Sequence, residues 1–146
     1  VFEHDDTGRA AIGHGYTYSG HPVGAAAALA CLAETQRLNV PQNAAARGQQ
    51  IYDGCLRLQE KYDLIGDVRG GHGLMTAMEL VSDRKTKAPV DKAVPLVLQE
   101  TAYQNGAMVR VSGPNVILSP ALIISESEVD TILSALDKGF AKASES

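Results

Sequence analysis

Tryptophan is missing from this chain, cysteine occurs twice, and aromatic residues make up only 5% of its 146 residues. With so few rings and no cluster of basic residues, a nucleic-acid surface is not expected. The 13 Lys+Arg are outnumbered by 17 Asp+Glu, for a net charge of −4. No apolar run approaches the ~20 residues that cross a bilayer, and no signal peptide opens the chain, so no membrane association is expected. Cys31 and Cys55 are far apart, each inside a predicted helix, which suits reduced, partly buried thiols in a cytoplasmic protein. Metal ligands are scarce too. His4-Asp5-Asp6 lacks both the helical spacing of a zinc pair and the ligand series of a calcium loop, and His14 and His21 are isolated. No repeat or low-complexity tract appears. The chain begins at Val1 rather than Met and is read as a piece of something longer or a processed product.

What is present is the composition of a folded domain: 45% hydrophobic and 21% charged residues, enough for one core. Pro22 suits the first turn of a helix running to about Leu38, which Pro41 cannot continue. Pro41 opens a second helix to about Tyr62, with Ile51, Cys55, Leu58 and Tyr62 near one face. A short strand is expected around Val68, then a bend at Gly70-Gly71-His72-Gly73, then a strand from Leu74 to Val81. Those glycines open no helix and precede no Lys-Ser or Lys-Thr, so a phosphate loop is not the better reading. A charged loop over Ser82–Pro89 leads to a helix from about Asp91 to Asn105, with Val94, Val97, Leu98, Thr101 and Ala102 as its apolar stripe. Ala107–Val111 reads as a strand, Ser112–Asn115 as a turn and Val116–Leu118 as the antiparallel partner. Ser125-Glu126-Ser127-Glu128 is a capping box, and Val129, Ile132, Leu133, Leu136 and Phe140 follow it at helical spacing. This order implies an α+β fold: a small, largely antiparallel sheet with helices on one face.

Three places hold candidate chemistry. In His14-Gly15-Tyr16-Thr17-Tyr18-Ser19-Gly20-His21-Pro22 a hydroxyl-rich loop enters a helix of small residues, capped by Ser19 or His21. Hydroxyls and amides ahead of a helix favour an anion, and Thr17 with the Tyr16 backbone is the best candidate, against an ordinary loop entering a tightly packed helix. Arg110, on an otherwise apolar strand, needs a partner. An exposed strand end, a structural ion pair and a ligand contact are all open on the residues alone. Arg69 beside the glycine bend is read as structural.

The run HGYTYSGHPVGAAAALA resembles a segment of class III aminotransferases, the ω-transaminase branch of the fold-type-I enzymes that use pyridoxal 5′-phosphate. The stretch from Arg69 to Val81 and the stretch around Arg110 resemble later segments of the same family. Two departures stand out: Gly71-His72 where the family has one residue, and Ala121 in place of a second proline. The resemblance implies that residues 1–40 are the cofactor-phosphate loop and interdomain helix at the tail of a large domain. Residues 41–146 would be the small C-terminal α+β domain. It implies that Thr17, with Tyr16, binds the cofactor phosphate of the partner subunit in a homodimer. Arg110 would bind a substrate carboxylate. The reaction implied is transfer of an amino group from an amine or ω-amino acid to a keto acid such as pyruvate. The lysine that anchors the cofactor covalently would lie upstream, in the missing N-terminal large domain. Lys61, Lys85, Lys87, Lys92, Lys138 and Lys142 all fall on charged loops or polar helix faces. This chain would then hold no catalytic residue and be inactive alone. Two alternatives are a non-catalytic interaction domain of the same fold and another fold-type-I subgroup.

Overall fold

The computed structural model describes residues 15–145. The segment Val1–Gly13, with His4-Asp5-Asp6, and His14 lie outside the described residues. The chain divides into two compact units, Val1–Gln36 and Arg37–Ser146.

The first unit contains all but the last residue of helix α1 (Pro22–Arg37), preceded by a turn. The His21 carbonyl accepts the first helical bond from Ala25 N at 3.0 Å, which puts His21 in the capping position. No residue of α1 is buried, and Val23, Leu29 and Leu32 are 70%, 69% and 61% exposed. Cys31 is exposed as well, which corrects the expectation of a partly buried thiol there. A helix this rich in alanine forms from backbone propensity without needing a buried stripe.

The second unit is built from α2 (Val40–Lys61), β1 (Ile65–Arg69), β2 (Thr76–Asp83), β3 (Ala88–Pro89), α3 (Ala93–Gln104), β4 (Arg110–Ser112), β5 (Asn115–Leu118) and α4 (Glu126–Ala143). The strands form one antiparallel sheet in the order β1-β2-β5-β4, with β3 paired to β2. This is the α+β arrangement expected. The short β3, inside the stretch read as a charged loop, was not. An Asx turn makes it possible: Asp83 Oδ1 accepts from Lys85 N and Thr86 N at 2.7 and 2.8 Å and folds the chain back.

Register separates the two faces of the sheet. Val68, Met78, Val116 and Val111 stand opposite one another across β1, β2, β5 and β4 and point into the core with Ile51, Leu98, Leu136 and Phe140. The next residues along each strand face the other way. There, Arg69, Ala77, Ile117 and Arg110 form one row, and Asp67, Glu79, Asn115 and Ser112 the row beside it.

Helix ends are held by side chains. Arg84 Nη2 donates to the Gln59 and Tyr62 carbonyls at the end of α2, where cations and donors are favoured. At the start of α4 the capping box is complete: Ser125 Oγ accepts from Glu128 N, and Glu128 Oε2 accepts from Ser125 N at 2.8 Å. Packing of α2 on the glycine bend uses the absence of side chains. A Cβ on Gly48 would overlap the Gly73 carbonyl, and Gly71 and Gly73 have φ of +85° and +95°. As expected, that stretch is a backbone bend and opens no helix.

Among the described residues no helix is long and apolar enough to cross a membrane. Nor do they hold a group of three or more His, Cys, Asp or Glu suited to a metal ion.

Candidate functional site

The loop ahead of α1 is a tight turn. Ser19 N donates to the Tyr16 carbonyl at 2.9 Å and His21 N to the Tyr18 carbonyl at 3.2 Å, with Gly20 supplying φ +73°. Those bonds occupy the Ser19 and His21 amides. The Thr17 hydroxyl is exposed, and neither it nor the Thr17 amide has a partner among the described residues. The Tyr16 and Tyr18 rings are 69% and 83% exposed. A free hydroxyl and a free amide next to a helix N-terminus are a donor set for phosphate oxygens, so these residues fit one edge of a phosphorylated cofactor.

Arg110 lies in the second unit, at the last rung of the β4–β5 ladder opposite Ile117. Its side chain is exposed and makes no hydrogen bond or ion pair among the described residues. It borders a cavity of about 410 Å³ lined also by Gln99, Met108, Ile117, Pro120 and Ile132, a polar head above an apolar floor. Arg69, at the far end of the same row, is its opposite. Its guanidinium donates to Asp67 at 2.8 Å, to Glu79 at 3.2 Å and to Asn115 at 2.8 Å. The hydrogen bonds to Asp67 and then Glu79 hold that guanidinium above its ordinary pKa. Three strand spacings of ~4.8 Å separate the two ends of the row. One arginine is fully engaged; the other is available. Thr17 and Arg110 fall in different units and are not brought together within either.

The six lysines are all exposed. Lys61 pairs with Asp137 at 2.6 Å, and Lys87 and Lys138 donate to the Gly66 carbonyl and Asn105 Oδ1, both at 2.9 Å. None has the buried setting that depresses an amine's pKa for covalent chemistry.

Sequence reasoning missed Gln99, which lines the Arg110 cavity, and Asn43, which holds a loop of the same unit. Gln99 Nε2 donates to the Val109 carbonyl at 2.8 Å. Asn43 Nδ2 holds the Leu122 and Ile124 carbonyls at 2.9 and 3.0 Å, fixing the loop that follows Pro120. Gln99 did leave a trace, as a polar side chain one position after Leu98 and spaced by i, i+4 and i, i+3 from the buried Pro95 and Ala102.

The sheet thus carries one engaged and one open arginine, and, in the other unit, the turn ahead of α1 offers donors suited to an anion. The sequence model for Aminotransferase class-III matches residues 3–140, and the chain belongs to that family. It is 36% identical to a taurine–pyruvate aminotransferase of Bilophila wadsworthia over 85% of this chain and 28% of the relative. It is 32% identical to a putrescine–pyruvate aminotransferase of Pseudomonas aeruginosa over 86% of this chain and 27% of the relative. Among solved structures, an amine transaminase from an uncultivated Pseudomonas species in its PLP-bound form aligns with a TM-score of 0.81 and 43% identity. It covers 90% of this chain and 30% of its own. The chain thus spans less than a third of the length of these relatives.

Proposed function

We propose that this chain is the C-terminal part of a homodimeric, cytoplasmic aminotransferase that moves an amino group from an amine or ω-amino acid to a keto acid such as pyruvate. Residues 1–40 act as the tail of the large domain and residues 41–146 as the small domain. The cofactor is pyridoxal 5′-phosphate, which when bound acts as the electron sink that lets the amino group change carbon. Its anchoring lysine belongs to a part of the enzyme other than this chain, a reading supported by the exposure of all six lysines present. The chain alone is therefore inactive. Two free cysteines accord with a reducing compartment.

Each residue here has a binding task. Thr17 donates its hydroxyl proton to a phosphate oxygen of the partner subunit's cofactor, and the Tyr16 segment sets the turn that presents it. Arg110 receives the substrate carboxylate in a fork of two parallel N–H···O bonds. The apolar floor of Met108, Ile117 and Pro120 takes the carbon skeleton and excludes water. One observation carries this reading: Arg110 is unpartnered on a sheet face whose other row-end arginine has three partners.

The test is steady-state transfer from amines to pyruvate by the full-length enzyme, with alanine as product. Absence of keto-acid-dependent transfer across primary amines and ω-amino acids would remove the proposal. Thr17→Ala should weaken cofactor retention about ten-fold or more, as loss of a hydrogen bond to a charged group does; unchanged affinity would take Thr17 out of the phosphate site. A second reading has a specific basis. A leucine/methionine racemase of Thermococcus litoralis is 35% identical over 92% of this chain, so the same assay should follow the amino acid's enantiomer as well as its amino group.

A further inference from the structure

Arg110 stands where the β-ladder ends. Ser112↔Asn115, Val111↔Val116 and Arg110↔Ile117 are its rungs, and β4 is the outermost strand of its sheet. Beyond Ile117, Leu118 pairs with Thr76 of β2 on the other side. The backbone immediately before Arg110 thus lacks the ladder that holds the backbone after it. The terminal rung of an edge strand is where fraying begins.

Two contacts take the ladder's place. The Val109 side chain is buried in the core at 4% exposure, and the Val109 carbonyl is held by Gln99 Nε2 at 2.8 Å. Gln99 is partly buried on α3 and lines the same cavity as Arg110. The arginine therefore has a fixed root and a free head. A carboxylate receptor needs the head to move and the root to stay, because a wandering root dilutes the binding-competent population and weakens apparent affinity in proportion.

We propose that Gln99 is a positioning residue for carboxylate substrates: its amide clamps the Val109 carbonyl and so fixes the point from which Arg110 reaches. This rests on the carboxylate role proposed for Arg110 above. Gln99 touches no substrate itself. Its effect falls on the substrate that Arg110 holds and spares one that Arg110 does not. In a ping-pong reaction each substrate's kcat/KM reports its own half, so the two are read separately.

The experiment uses the full-length holoenzyme with Gln99→Leu, which removes the donor, and Gln99→Glu, which keeps the shape but cannot donate when ionised. Pyruvate is the carboxylate substrate, and the second substrate is a primary amine without a carboxyl group. In both variants KM for pyruvate should rise about five-fold, equivalent to about 1 kcal/mol. Its kcat and the amine's kcat/KM should stay within about two-fold of the parent. Gln99→Glu should be the more impaired, because it adds a competing carboxylate to the cavity of Arg110. A pyruvate KM unchanged in both variants, an equal loss on both substrates, or failure of both variants to fold would overturn the proposal. Arg110→Ala in the same assay separates the two layers. If it spares pyruvate, the carboxylate role itself falls. If it is selective while the Gln99 variants are not, only the clamp falls.

Discussion

Replacing Gly48 with alanine sets two well-measured effects against each other in a single methyl group. Gly48 lies inside α2, where Gly→Ala alone should stabilise the helix by about 1 kcal/mol. The position is buried, and the Cβ would overlap the Gly73 carbonyl carbon and oxygen and come within 3.0 Å of Gly73 Cα. Those atoms are backbone, in a bend whose φ of +95° at Gly73 leaves it little freedom to retreat. Overpacking of a close-packed site costs about 1–3 kcal/mol, and a backbone obstacle falls at the upper end because no rotamer can absorb it. The net expectation is destabilisation of about 1–2 kcal/mol, a fall in Tm of roughly 5–10 °C for a unit of this size. Gly24→Ala in α1 is the control, since a Cβ there meets nothing within 4 Å, and helix content should rise or stay level. Thermal unfolding followed by far-UV circular dichroism reads both. A Gly48→Ala protein with an equal or higher Tm would refute the contact between α2 and the glycine bend.

Other expectations follow from the clasp between α2 and α4 and from the thiols. Lys61 donates to Asp137 at 2.6 Å and the Tyr62 hydroxyl to the same carboxylate at 2.8 Å. The hydrogen bond from Lys61, then that from Tyr62, holds Asp137 below its ordinary 3.8 against the opposing effect of burial. The Asp137 contribution is therefore complete above that pH and lost as pH falls through the lowered native value. Lys61 is raised from 10.5, chiefly by its bond to Asp137, and Tyr62 from 10.0, chiefly by burial. Their contributions are present below those values and lost as pH rises beyond them. Asp137→Asn should flatten the acid limb of the stability-pH curve, and an unchanged limb would show that the clasp contributes nothing. Burial pushes the Cys55 thiol up to about 12, whereas Cys31 is exposed. Under native conditions near neutral pH a thiol reagent should modify Cys31 and spare Cys55 until the second unit unfolds. Equal labelling of both would contradict the packing of α2.

Local signals were the legible ones. The capping box before α4 and the Ile51–Cys55–Leu58–Tyr62 stripe of α2 depend on residues within a turn or two, and both stand as expected. The strand expected over Ala107–Val111 shows where locality ends. Ladder pairing begins only at Arg110. Ala107 and Val109 are buried, but Ala107 N is bonded to the Ala102 carbonyl and the Val109 carbonyl to Gln99. An apolar, β-prone run thus fills the core without pairing, because a side chain from the preceding helix α3 takes its hydrogen bond. Tertiary context overrides strand propensity in this way, and no local pattern announces it. The candidate site divides along the same line. Thr17 and Arg110 are proposed from their surrounding motifs, whereas the freedom of Arg110 and the engagement of Arg69 depend on register across four strands.

The most direct measurement is the substrate selectivity of Arg110→Ala in the full-length enzyme. Loss of an unshared, charge-assisted fork predicts that kcat/KM for pyruvate falls about 30-fold or more, while kcat/KM for an amine without a carboxyl group changes less than about three-fold. Equal losses on the two substrates, or none on either, would contradict the assignment of this open guanidinium to a carboxylate.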